Sequence, residues 1–160
     1  EGPRLNSPNY LSIVSNDFLF QTIKQGRPES SMYPWGMELN DDEVGELVFF
    51  LRSWQTADGV ELDESPLEGD VEKGGELFAT YCQSCHGKDG AGYRYDGRAP
   101  AIGRKDYLEQ ASNGMMRAVI HQGKDETAMN TFAEGNKTGI ASLKPKEIDS
   151  VIAWLRAKAW

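Results

Sequence analysis

Apolar residues in this chain recur at helical spacing. Val44, Leu47, Val48, Leu51 and Trp54 fall three and four apart, behind an Asn40–Glu43 pair of the kind that closes a capping box. Ile148, Val151, Ile152 and Leu155 form a second stripe, with Pro145 suited to the first helical position. A third runs through Val71, Leu77, Phe78 and Tyr81, with Asp70 placed to cap it. Two shorter segments, SNDFLFQTIKQG (15–26) and SNGMMRAVIHQG (112–123), each read as a helix stopped by glycine. No segment alternates convincingly between apolar and polar, so the pattern predicts an all-α fold.

Those two short segments are also near copies. Sliding the chain by 97 positions sets Pro3 on Pro100, Tyr10-Leu11 on Tyr107-Leu108 and Ser15-Asn16 on Ser112-Asn113. Without a gap, the same shift sets Ile23 on Ile120, Gln25-Gly26 on Gln122-Gly123, Glu29 on Glu126 and Met32 on Met129. After a seven-residue insertion in the second copy, Leu39 pairs with Leu143, Glu43 with Glu147, and Leu51-Arg52 with Leu155-Arg156. A repeat of this kind decides architecture before local propensity does. It predicts two related domains, residues 1–57 and 70–160, joined by a linker at 58–69 within the acidic run QTADGVELDESPLEGD.

Charge narrows the partners. The chain has 160 residues, with 17 Lys and Arg against 25 Asp and Glu, a formal net charge of -8. Phosphate binding needs clustered cations, so nucleic acid is excluded, and anionic membrane surfaces are disfavoured. An acidic surface instead suits a protein partner with a basic docking face. No apolar run approaches the roughly 20 residues that span a bilayer. Glu1-Gly2-Pro3-Arg4 opens neither a basic stretch nor an apolar core, so the sequence reads as a mature chain or a fragment.

The chemistry lies in CQSCH. Cys82 and Cys85 are the two cysteines of the sequence, two residues apart and directly followed by His86. This is the attachment spacing for c-type haem. On one helical turn, two sulfurs reach two porphyrin vinyl groups and form thioethers, and the next residue offers an imidazole nitrogen to iron. A thioredoxin-like pair would need a βαβ context that the pattern does not supply. A zinc site would need four ligands, and His121, the other histidine, stands in a helical segment without a second cysteine pair.

The set GGELFATYCQSCHG, RAPAIG, AMNTF and VIAWLRAKAW resembles class I cytochrome c over residues 70–160. The resemblance implies that an N-terminal helix carrying the haem motif crosses a C-terminal helix, with Gly75 and Phe78 at the crossing and Trp154 as the aromatic partner. It implies that His86 and Met129 are the two axial ligands of iron, although the family usually reads Met-Pro where this chain has Met129-Asn130. Met115 and Met116 fall inside a helical stripe and suit the core. His121 is the rival ligand, but Lys24 is its repeat partner, which favours a surface role. Pro100 matches the proline that orients the proximal histidine through a backbone carbonyl. Tyr95 and Arg98, with Tyr93 and Arg94, lie in the loop where haem propionates are held.

The first domain, 1–57, matches only the later two-thirds of that family, so it is expected to be incomplete at its N-terminus. Two readings remain open. In one, Met32 ligates a second haem c whose Cys-x-x-Cys-His comes from a missing N-terminal segment or a second chain. In the other, the domain is degenerate and Met32 is an ordinary apolar residue. Phe50 holds the place of Trp154, and the stripe on residues 44–54 would need covering.

His/Met ligation leaves iron no open position, which implies one-electron transfer. The expected function is therefore an electron carrier, as a di-haem shuttle or the cytochrome subunit of a respiratory or photosynthetic redox complex, and not an enzyme. The alternatives are a domain of a haem enzyme (a peroxidase or sulfur-compound oxidase) or a docking module for a dehydrogenase. Covalent haem implies a periplasmic or otherwise extracytoplasmic site.

Overall fold

A computed structural model describes residues 4–28, 30–94, 97–137 and 139–160. Its regular elements are all helical, and no strand occurs among the described residues. The helices are α1 (Pro8–Ile13), α2 (Asn16–Gln25), α3 (Asp41–Arg52), α4 (Val71–Tyr81), α5 (Gln83–His86), α6 (Lys105–Gln110), α7 (Asn113–Gln122) and α8 (Pro145–Ala157). The chain divides into two compact units, 4–61 and 62–160.

In the unit 62–160, α4 begins where the Asp70 carboxylate accepts the Lys73 N–H at 2.7 Å. It crosses α8 at unusually short range. A Cβ on Gly74 would lie 1.9 Å from the Ser150 carbonyl oxygen, and one on Gly75 would lie 2.8 Å from Trp154 Nε1. The absence of side chains at both positions lets the backbones meet. One turn on, Phe78 and Trp154 stack with ring centroids 4.5 Å apart. Phe78, Ile152 and Leu155 are at most 1 % exposed, and Met115 and Met116 join Leu108, Phe132 and Ile148 in the same core.

In the unit 4–61, Asn40 and Glu43 form a complete capping box on α3. Val44, Val48 and Leu51 of that helix are buried with Leu11, Ile13, Phe18 and Leu19. The other side of α3 stays open: Phe49 is 79 % exposed and Phe50 55 %.

One arginine does the same work in each unit. Arg156, in the last turn of α8, donates to Asn113 Oδ1 (2.8 Å), Leu108 O (2.6 Å) and Ala111 O (2.7 Å). Arg52, in the last turn of α3, donates to Asn16 Oδ1 (2.6 Å), Leu11 O (2.5 Å) and Val14 O (2.5 Å). These partners correspond one for one under the shift of 97. In each case a guanidinium fork satisfies carbonyls that the end of a short helix leaves without intrahelical partners.

Residues 62–69, expected to be linker, lie in the second unit and are strapped to its surface. Arg117 on α7 donates to the carbonyls of Asp63 (2.7 Å), Ser65 (2.8 Å) and Pro66 (3.2 Å). It also grips Asp149 through Nε (2.6 Å) and Nη2 (2.9 Å). Glu64 accepts the Gly114 N–H at 2.9 Å and the Ser112 hydroxyl, so the strap supplies a carboxylate to the start of α7.

Two outcomes are expected. Gly74→Ala gains roughly 1 kcal/mol of helix propensity but drives a methyl into a backbone carbonyl. Overpacking of that kind costs about 1–3 kcal/mol or more, so denaturant unfolding should show a net loss; equal or higher stability would contradict the crossing. The second concerns Asp149. Burial pushes its carboxyl up, but the Arg117 hydrogen bonds and the Glu68 N–H more than reverse this and hold it below the ordinary aspartate range. A group depressed in the fold contributes stability that is present above the ordinary value and lost as pH falls through the folded one. Asp149→Asn should therefore be less stable at neutral pH and should flatten the decline below about pH 4; parallel curves for the two proteins would contradict the pairing.

Candidate functional site

The end of α4 delivers the site. Cys82 closes that helix, its N–H bonded to Phe78 O at 2.9 Å, and opens α5. Cys85 and His86 follow within one turn, both N–H groups donating to Cys82 O at 3.1 and 2.9 Å. Gly87, at φ 74°, ends the turn with a backbone that L-residues rarely adopt. Both cysteines are half-buried free thiols. Burial, with Cys85 beside it, pushes the Cys82 thiol up to about 12.

His86 is fixed from the far side. Its Nδ1 lies 3.0 Å from the Pro100 carbonyl oxygen. A carbonyl cannot donate, so Nδ1 carries the proton and Nε2 keeps its lone pair. Burial lowers the imidazole's pKa and so favours the neutral form; the Pro100 carbonyl partly counters this shift and fixes the proton on Nδ1. The loop that supplies Pro100 is pinned to the same turn: Arg98 and Ala99 N–H donate to Cys85 O at 2.7 and 3.0 Å. Cys82, Cys85, His86, Arg98 and Pro100 thus form one local cluster, with Arg98 contributing its backbone and its side chain exposed. Two thiols on one turn, followed by an imidazole with a free Nε2, fit covalent haem. The Tyr95 expectation lies outside the described residues. Among the described residues, no three His, Cys, Asp or Glu side chains gather as a metal site.

Met129 stands half-buried on the loop after α7. Gly123, at φ 74°, ends that helix, and a Cβ there would lie 2.4 Å from Met129 O. Lys124 N–H donates to Met129 O (2.7 Å), and Met129 N–H donates to Thr127 Oγ1 (3.1 Å). The loop around Met32 is built by the same bonds. Gly26 is at φ 64°, Arg27 N–H donates to Met32 O (3.0 Å), and Met32 N–H donates to Ser30 Oγ (3.0 Å). His121 is exposed at the end of α7.

Met32 also lines a cavity of about 390 Å³ with Ile23, Trp35, Leu39, Leu47, Phe50 and other apolar side chains. Pattern reading identified the stripe on α3 and the methionine separately. The cavity that joins them was not legible, because Trp35 and Leu39 come from an irregular turn with no periodicity. Among the described residues, no helix is long and apolar enough to cross a membrane.

Residues 69–155 match the family model described as cytochrome c oxidase, cbb3-type, subunit III. The cbb3-type cytochrome c oxidase subunit FixP of Sinorhizobium medicae is 29% identical over 132 residues, covering 74% of this chain. The chain spans 43% of that relative's length. Among solved structures, the reducing HAO-like protein complex of Kuenenia stuttgartiensis aligns over 91% of this chain and 73% of its own, with TM-score 0.55 and 17% identity, a likeness of fold. Cytochrome cL of Methylophaga aminisulfidivorans aligns over 56% of this chain and 53% of its own, with TM-score 0.42 and 26% identity. With a matched region of more than half its length, running from just before the α4 cap through CQSCH into the last turn of α8, the chain belongs to the cbb3-type cytochrome c oxidase subunit III family of cytochrome c domains.

Proposed function

We propose that the unit 62–160 carries one covalent haem c, attached at Cys82 and Cys85, with His86 Nε2 and Met129 Sδ as axial ligands. The observation that carries this is the His86 imidazole, held at Nδ1 by Pro100 with its other nitrogen free beside two thiols. Haem supplies reversible one-electron chemistry. The residues around it set access and potential. Held by the His86 imidazole and the Met129 thioether, the haem would keep no position for substrate, and the thioether would favour the ferrous state. The chemistry it would supply is one-electron transfer, with no atom transferred. In the same reading, Arg98 and Tyr95 would bind the haem propionates. The chain acts as an electron-carrying part of an oxidase or related redox complex, outside the cytoplasm, with partners that present basic faces to its net charge of -8.

The unit 4–61 holds a second haem in the same proposal, with Met32 as an axial ligand. Support comes from two independent features: its methionine loop carries the hydrogen bonds of the Met129 loop, and Met32 faces an apolar cavity of about 390 Å³. Cys82 and Cys85 are the cysteines of this sequence, so the thioether anchor of that haem belongs to other polypeptide. That segment packs against Leu47 and Phe50 of α3, as α4 packs on α8.

Acid–acetone extraction of the purified protein should leave the colour with the polypeptide; colour in the solvent would end the thioether assignment. Oxidised protein should show the weak far-red sulfur-to-iron band. Met129→Ala should remove the contribution of the second-unit haem and open it to cyanide, whereas an unchanged spectrum would pass the role to another residue. In the native holoprotein, Met32→Ala should remove a separate contribution of equal kind. Haem stoichiometry that assigns none to the first unit, with a Met32→Ala spectrum like wild type, would leave that unit without a haem.

A further inference from the structure

Beyond α8, Trp160 is tied to two loops at once. Its N–H donates to Gly103 O (3.2 Å), its carbonyl accepts the Lys105 N–H (2.9 Å), and its indole Nε1–H donates to Asp89 O (3.2 Å). The Arg104 guanidinium sits over its ring, 5.3 Å from the centroid. The two loops it joins are the ones that flank His86. Residues 87–92 continue directly from it, and residues 97–104 carry the Pro100 carbonyl that holds its Nδ1.

These loops already touch along their length. Ile102 and Gly103 N–H groups both donate to Gly90 O (2.9 and 3.1 Å). Gly103 fits only because it has no side chain, since a Cβ there would meet Asp89 O at 2.0 Å. Asp89 itself is held at φ 55°, ψ 23°, a left-handed conformation that a non-glycine residue adopts at some cost. That conformation aims its carbonyl at the indole N–H. A strained backbone persists where its surroundings fix it, and Trp160 is the side chain that bonds the strained carbonyl.

We infer that Trp160 is a positioning residue for His86: by clamping Asp89 and Gly103, it fixes the spacing of the two loops and hence the His86 Nδ1–H···O Pro100 hydrogen bond. This rests on the haem assignment proposed above. A hydrogen bond from Nδ1–H to a carbonyl makes the imidazole a stronger donor to iron and favours the ferric state. Loosening the clamp should weaken that bond and raise the reduction potential.

The test is spectroelectrochemical titration of the second-unit haem in holoprotein carrying Trp160→Phe or Trp160→Ala. Trp160→Phe keeps a ring for Arg104 but loses the donor to Asp89. Trp160→Ala loses both. At a fixed ambient potential, the ferrous-to-ferric ratio should rise about threefold or more in Trp160→Ala and by less in Trp160→Phe, where a tenfold change would equal about 59 mV. Amide exchange at Ile102 and Gly103 should accelerate in both variants. Val151→Ala, a core change 2 % exposed in the parent and remote from these loops in sequence, should lower stability and leave the ratio unchanged. If Trp160→Ala does not fold, Trp160→Phe decides alone. Wild-type potential and exchange in the variants would overturn the inference, as would an equal shift in Val151→Ala. Acid–acetone extraction of the same samples separates the two claims, since colour lost to the solvent defeats the haem assignment itself.

Discussion

The unit 62–160 depends on how closely α4 can approach α8. Gly74 brings the α4 backbone against the Ser150 carbonyl, and Phe78 then seats on Trp154. Everything chemical follows from that crossing, because Cys82 closes α4 and the next four residues form one turn off its end. Ser150 serves the same junction from the other side. Its hydroxyl oxygen accepts the Asp70 N–H at 3.0 Å, so the start of α4 is tied to α8 as well. A helix held at its start and its middle presents its last turn in a fixed place. This is the preorganisation that the proposed haem, with two thioethers and a histidine bond on this turn, would require.

The two units share their internal bonds more fully than their sequences suggest. The arginine fork recurs at Arg52 and Arg156, and the glycine-initiated loop recurs around Met32 and Met129, with equivalent donors and acceptors. What differs is the face opposite the fork. On α8, Trp154 is covered by Phe78, whereas on α3 the equivalent Phe50 is 55 % exposed beside an apolar cavity. The first unit repeats the methionine loop and leaves an aromatic face open, and a second haem with its own anchoring segment is the occupant proposed for it.

Much of the fold was legible because α2, α3, α4, α7 and α8 each carry an apolar stripe over ten or more residues. Short α1 and α6, at six residues each, hold too little periodicity to register. Gly75 and Phe78 were expected at the helix crossing; Gly74, the closer contact, was not, since two adjacent glycines give no clue to which one faces the partner. The strap over 62–69 looked like linker because it is polar and acidic, and its acidity is in fact used on Arg117 and α7. The forks of Arg52 and Arg156 went unseen because their acceptors are main-chain carbonyls, which sequence does not distinguish. At the site, CQSCH spoke for itself through spacing. Trp160 did not, because its partners are backbone groups of two loops.

The proposed axial pair can be tested at the metal. X-ray absorption at the iron edge of the oxidised holoprotein counts the atoms in the first shell, independent of any mutation. His86 and Met129 together require five nitrogens and one sulfur per iron. A shell of six nitrogens, or one with an oxygen in place of sulfur, would contradict the assignment.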